Sequence, residues 1–228
     1  MDNSSDNNRK NFRYALFDMD GVLYDSMPKH AIAYHESLLP YGIDMSEMMV
    51  YECEGKKGVE TMKLVAEEQY GRTVSDAEAE EMYEAKCKVF RTMPKAGKIP
   101  GVEHLMHRMY DAGWQICIVT GSGQISLLEE LTTDFAPMIT ADRIICSKDY
   151  ANGKPAPDPY LMGLQRLDAK AEETVVVENA PLGVMAGRAA GIFTLAVNTG
   201  PLPEETFVKA GASKIFRSMK EAEEWLFE

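Results

Sequence analysis

The chain is short of several things, and each shortage excludes something. It has four cysteines in 228 residues, Cys53, Cys87, Cys117 and Cys146, and no two form a C-x-x-C pair. Scattered thiols of this kind argue against a disulfide framework and fit reduced side chains in a reducing compartment. No apolar run approaches the ~20 residues of a membrane-crossing helix, so no membrane partner is expected. The opening MDNSSDNNRKN lacks the apolar segment of a secretion signal. It reads as a polar, disordered tail over residues 1–11 and predicts a cytoplasmic protein. Positive charge is also scarce: 24 Lys and Arg stand against 36 Asp and Glu, a net −12. That argues against nucleic acid and anionic membrane surfaces as partners. A small phosphorylated molecule stays open, because a bound cation can reverse the local field. No internal repeat is visible, and a monomer is expected.

What is present is a rhythm of short apolar runs. YALF (14–17), QICIVT (115–120), RIICS (143–147), TVVVE (174–178) and IFTLAV (192–197) are nearly continuous rather than alternating. That is the pattern of parallel strands covered on both faces. Helical stretches lie between most of them. GVEHLMHRMYDAG places Val102, Leu105, Met106 and Met109 on one face and stops at Gly113, and PLGVMAGRAAG carries Pro181 in its first turn. The expected fold class is α/β, an open parallel Rossmann-like sheet.

One region breaks the rhythm. HAIAYHESLL, GVETMKLVAEEQYG and SDAEAEEMYEAKCKVFRTM all have helical periodicity. The last opens with a Ser75/Glu78 capping box and repeats apolar Met82, Ala85 and Val89. The expectation is a small helical cap domain over residues 28–96, inserted into a core made of 12–27 and 97–228. MPKAGKIPG supplies a hinge.

Ligands of open parallel sheets bind beyond the carboxyl ends of the strands. Asp18, Met19, Asp20 and Gly21 follow the first strand, and Thr120, Gly121 and Ser122 the second. Lys154 sits in NGKPAPDP after the third, and Glu178 and Asn179 end the fourth. One of the paired acids can attack phosphorus while the other handles protons. Oxygen-only donors suit Mg²⁺, drawing on Asp18, Glu178 and Asn179. Charge implies the ion as well, since three carboxylates with Lys154 alone would repel a phosphate. Thr120, with the N–H groups of Gly121 and Ser122, is expected at a helix start, an anion-binding position.

DMDGV (18–22), VTGS (119–122), KPAPDP (154–159) and VVVEN (175–179) resemble, in order, the four motifs of the haloacid dehalogenase superfamily. The resemblance covers residues ~12 to ~220. It implies Asp18 as nucleophile, Asp20 as general acid/base and as a backbone-carbonyl ligand of Mg²⁺, and Thr120 and Lys154 as holders of the transferring phosphoryl group. The opening through Ser26 and ENAPLGVMAGRAAGI resemble the β-phosphoglucomutase-like subgroup. His30 falls where that subgroup places a hinge histidine coupling cap closure to Asp20; an ordinary histidine at a helix start is the other reading.

The cap segment CEGKKGVE is expected over the site, with Glu54, Lys56 and Lys57 facing substrate. The serine–arginine pair of the mutases' K-G-x-S-R loop is missing, so a bidentate phosphate clamp is missing too. The loop looks closer to those of phosphohydrolases, inorganic pyrophosphatases among them. The expected activity is Mg²⁺-dependent hydrolysis of a small phosphorylated substrate, with pyrophosphate a candidate, through an aspartyl-phosphate. β-Phosphoglucomutase activity is the alternative. A receiver-like signalling domain phosphorylated on aspartate is the alternative of another class, and the helical insert and Asp20-Gly21 speak against it.

Overall fold

A computed structural model describes residues 11–123 and 125–228; the polar tail expected over 1–11 lies almost wholly outside them. Among the described residues there are six strands. They are β1 (Tyr14–Phe17), β2 (Gln115–Val119), β3 (Ile144–Ile145), β4 (Thr174–Glu178), β5 (Phe193–Val197) and β6 (Lys214–Phe216). All pairings are parallel, in the order β3-β2-β1-β4-β5-β6. The third strand is shorter than RIICS suggested: only Ile144 and Ile145 pair, against Ile118 and Val119. β6 was not anticipated, because KIF is three half-buried residues with no longer pattern around them.

The strands read as continuous apolar runs because both faces are covered. Ala15, Phe17, Ile116, Ile118, Val175 and Val177 pack in one cluster with Leu105, Met106 and Met109 of α5 (Val102–Asp111). Leu16, Cys117, Val119 and Val176 point the other way, into a cluster with Tyr160 and Leu167 of α7 (Asp158–Leu167) and Ala186 of α8 (Pro181–Ala189). Each fully buried aliphatic or aromatic side chain contributes roughly 1.5–3 kcal/mol. Of three further helices, α6 (Ile125–Asp134) and α10 (Met219–Phe227) join the first cluster through Leu131 and Met219, and α9 (Glu204–Ala210) packs elsewhere through Phe207.

Between β1 and α5 come four helices: α1 (Met27–Leu38), α2 (Glu47–Cys53), α3 (Gly58–Tyr70) and α4 (Asp76–Thr92). Ser75 caps α4 as expected, accepting from the Glu78 N–H, while the Glu78 carboxylate pairs with Arg72. Tyr34, Leu38, Met62, Val65 and Met82 form a core of their own, continuous with Val184 and Phe207 of the α/β layer. The buried stripe of α4 is not the one the spacing suggested. Ala85 and Val89 are half-exposed, and Ala79, Met82, Lys86, Cys87 and Phe90 face inward.

Candidate active site

Sheet register sets the site. Phe17 pairs with Ile118 on one side and Val177 on the other. Asp18, Thr120 and Glu178 therefore leave the sheet at nearly one level, at its centre. Lys154 reaches the same point from the loop before α7. Its buried ammonium donates to Asp18 Oδ1 at 2.5 Å and to Glu178 Oε1 at 2.6 Å. Glu178 is saturated: Oε1 also accepts from Tyr160 Oη at 2.7 Å, and Oε2 accepts from the N–H groups of Asn179 and Ala180. Gly183 leaves room for this carboxylate, since a Cβ there would sit 1.6 Å from Glu178 Oε1.

Gly21 does the same for Asn179. Its φ is +78°, and a Cβ would fall 2.0 Å from Asn179 Nδ2. That amide donates to both oxygens of Glu54, at 3.0 Å each. Glu54 thus brings the loop between α2 and α3 into the site. Its neighbours follow: Gly55 lies on the Lys154 side chain, and Gly121 faces the carbonyls of Gly55 and Lys56.

Burial raises the Asp18 carboxyl to about 7, and the Glu178 charge adds to burial against the opposing pull of Lys154. Glu54 is pushed well up by burial and by the charges of Asp18 and Glu178. Lys154 loses something to burial, but the two acids hold it well above the usual lysine range. The cluster is short of positive charge.

Asp20 has the opposite environment. Burial would raise it, yet the His30 ring, the Ser26 hydroxyl and the Lys86 charge hold it at about 2. Ser26 Oγ donates to Asp20 Oδ1 at 2.6 Å, and His30 Nε2 lies 3.1 Å from the same oxygen. Lys86 Nζ is 2.6 Å from His30 Nδ1. A lysine ammonium only donates, so Nδ1 accepts and Nε2 carries the proton given to Asp20. Burial and the Lys86 charge lower the His30 pKa. The Lys86 ammonium stands over the rings of Tyr34, Tyr83 and Phe90, at 4.8, 5.9 and 4.9 Å from their centroids. Burial brings it down to about 8.

A cavity of about 70 Å³ lies over Asp18 and Asp20, walled by His30, Glu54, Lys56, Tyr83, Lys86 and Ser122 among others. Tyr83 closes one side, its ring directly against Gly58, where a Cβ would meet the ring at 2.0 Å. Two expectations change here. Lys57 does not line this cavity, and its ammonium is held by the carbonyls of Tyr150 and Ala151. Nor do Gly121 and Ser122 open a helix: α6 starts at Ile125, and the Ser122 N–H is given to Thr120 Oγ1 at 3.0 Å. Lys86, Tyr83 and Tyr160 were missed from the sequence. Lys86 could have been found as a cation four residues from both Met82 and Phe90 on one face.

The donor set fits a hard dication. Asn179 Oδ1 is buried and has no hydrogen-bond partner. Among the described residues no three His, Cys, Asp or Glu side chains gather into a ready metal cluster. The amide oxygen, backbone carbonyls and water would therefore complete the shell, as Mg²⁺ tolerates.

The family model "Haloacid dehalogenase-like hydrolase" matches residues 15–197. Hexitol phosphatase A of Escherichia coli strain K12 is 32% identical over 187 residues, 80% of this chain and 82% of that protein. A phosphorylated carbohydrates phosphatase of Thermotoga maritima is 29% identical, over 78% of this chain and 81% of its own. A solved structure of a candidate β-phosphoglucomutase from Bacteroides vulgatus superposes with a TM-score of 0.90 at 37% identity, covering 97% of this chain and 95% of that one.

Proposed function

The chain belongs to the haloacid dehalogenase-like hydrolases, and from that premise we propose a Mg²⁺-dependent phosphohydrolase of a compact, highly charged substrate, pyrophosphate first. The small cavity over Asp18 carries this reading. At about 70 Å³ it is well under the ~300 Å³ at which pockets for drug-sized ligands begin. Glu54 and Tyr83 are among its walls.

The chemistry follows from the two aspartates. Asp18 attacks the phosphorus, and its phosphoryl group is held by Lys154 and Thr120. The phosphorus–oxygen bond to the leaving group breaks and leaves an aspartyl-phosphate. A water then attacks that phosphorus, its proton passes to Asp20, and the Asp18 carboxylate is released. Asp20 rests ionised, held by Ser26, His30 and Lys86. An ionised carboxylate can take the water's proton in the second step, as a weak base. It also suits a leaving group needing little proton help: a phosphate ionises a second time near pH ~6, whereas a sugar alkoxide must be protonated as it departs. Mg²⁺, held by Asp18, the Asp20 carbonyl and Asn179 Oδ1, would neutralise charge on the phosphoryl oxygens. Glu178 then acts from behind, fixing Lys154 and the Asn179 backbone.

The second reading is a sugar-phosphate phosphatase, favoured by the relatives named for hexitol and carbohydrate phosphates. Parallel assays with Mg²⁺ on pyrophosphate, a hexitol phosphate, β-glucose 1-phosphate and an aryl phosphate decide. Pyrophosphate should give the highest kcat/KM. A hexitol phosphate above it would move the substrate class to sugar phosphates, and interconversion of glucose phosphates faster than any hydrolysis would make the enzyme a mutase.

A further inference from the structure

We propose that Lys57 is a positioning residue that latches the cap onto the core, working outside the cavity rather than on the substrate. The proposal rests on the capped phosphohydrolase reading above and extends it.

Lys57 ends the loop between α2 and α3. Its Nζ donates to the Tyr150 carbonyl and to the Ala151 carbonyl, both at 2.8 Å, and lies 5.0 Å from the centroid of the Tyr150 ring. These are charge-assisted bonds to backbone acceptors. Their far ends lead to the site. Tyr150 Oη donates to the Thr120 carbonyl at 3.0 Å, and Lys154 is on the same loop. Gly153 accepts the approach, since a Cβ there would come within 3.1 Å of Lys57 Cγ.

Among the described residues the loop has one other side-chain hydrogen bond to the core, Glu54 to Asn179. That tie lies where a cation and substrate must enter, so it competes with the working state. The Lys57 tie lies outside and does not. It is therefore suited to hold the loop at a fixed height while Glu54 and Asn179 exchange partners, with Thr120 and Lys154 registered through the same contact.

The test compares Lys57→Met and Lys57→Arg with the wild type in two readouts. In hydrogen exchange without substrate, amides in 54–58 and 121–123 of Lys57→Met should exchange about tenfold faster, as the open-to-closed ratio rises about tenfold. The Tm should change little, because the side chain is half-exposed. In steady-state kinetics kcat/KM should fall by up to about tenfold, mainly through KM, as substrate binding must then supply the closure. Lys57→Arg, which can still donate to both carbonyls, should restore both readouts. Unchanged exchange in Lys57→Met overturns the latch whatever the substrate proves to be. Faster exchange with no activity on any phosphate keeps the latch and overturns the phosphohydrolase reading. Faster exchange with kcat lowered and KM unchanged would make Lys57 part of the chemistry, against the proposal.

Discussion

Asp18 and Asp20 stand two positions apart and are held in opposite charge states. Burial and Glu178 raise Asp18 to about 7, while Ser26, His30 and Lys86 hold Asp20 at about 2. A cation beside Asp18 would lower it again and keep it ionised as the nucleophile, whereas Asp20 is ionised without one. The contrast predicts different failures. Asp18→Asn should abolish turnover with the fold intact. Asp20→Asn should still form the aspartyl-phosphate from pyrophosphate, since the leaving phosphate needs little help. Its second step should slow by about 10² to 10⁴. Quench-flow should then show a burst of about one phosphate per enzyme followed by slow turnover. Equal slowing of both steps would mean that Asp20 also donates a proton to the leaving group. These two residues were legible in the sequence because D-x-D-G fixes them at a strand end. The difference between their environments was not, because it comes from Lys86, Lys154 and Glu178, far away in the chain.

At the scale of elements, α4 shows where pattern reading fails. Its apolar residues suggested a stripe through Met82, Ala85 and Val89, but the helix is rotated so that Lys86 enters the core between Met82 and Phe90. Periodicity counts apolar residues, and a buried cation in an aromatic cage is invisible to it. The strands, with both faces covered, were legible almost to the residue, and the two-residue β3 and half-buried β6 were not. The Lys86 position has a thermodynamic signature. Its pKa falls from 10.5 to about 8 because burial disfavours the ammonium. The unfolded chain therefore binds more protons between pH ~8 and ~10.5, and stability rises with pH across that window. Below pH 8 the charged lysine costs about 3 kcal/mol. Lys86→Met should accordingly raise the Tm at pH 7, lose that advantage by pH 10, and lower activity by releasing His30. Calorimetry at the two pH values checks this, and a lower Tm at pH 7 would show that the aromatic cage outweighs the burial cost.

At the scale of the molecule, the helical insert and the sheet edge enclose one cluster of carboxylates with too little positive charge. The net charge of −12 hints at this shortage but cannot locate it. The structure locates it at Asp18 and Glu54, both raised by burial and by acids nearby, with Asn179 Oδ1 buried and unpartnered beside them. A dication bound there would relieve repulsion in the folded state only, so it must stabilise the whole fold. At a hundred times its Kd the gain is about 2.7 kcal/mol. For a chain of this size that corresponds to a Tm rise of about 5–10 °C. Calorimetry with and without Mg²⁺ reads it without any substrate. The rise should be much reduced in Asp18→Asn, which removes a ligand charge. It should saturate at lower Mg²⁺ in Asn179→Asp, which adds one. If Asn179→Asp leaves the Mg²⁺ midpoint where it was, Asn179 is not a ligand, and its buried oxygen has some other partner in the working enzyme.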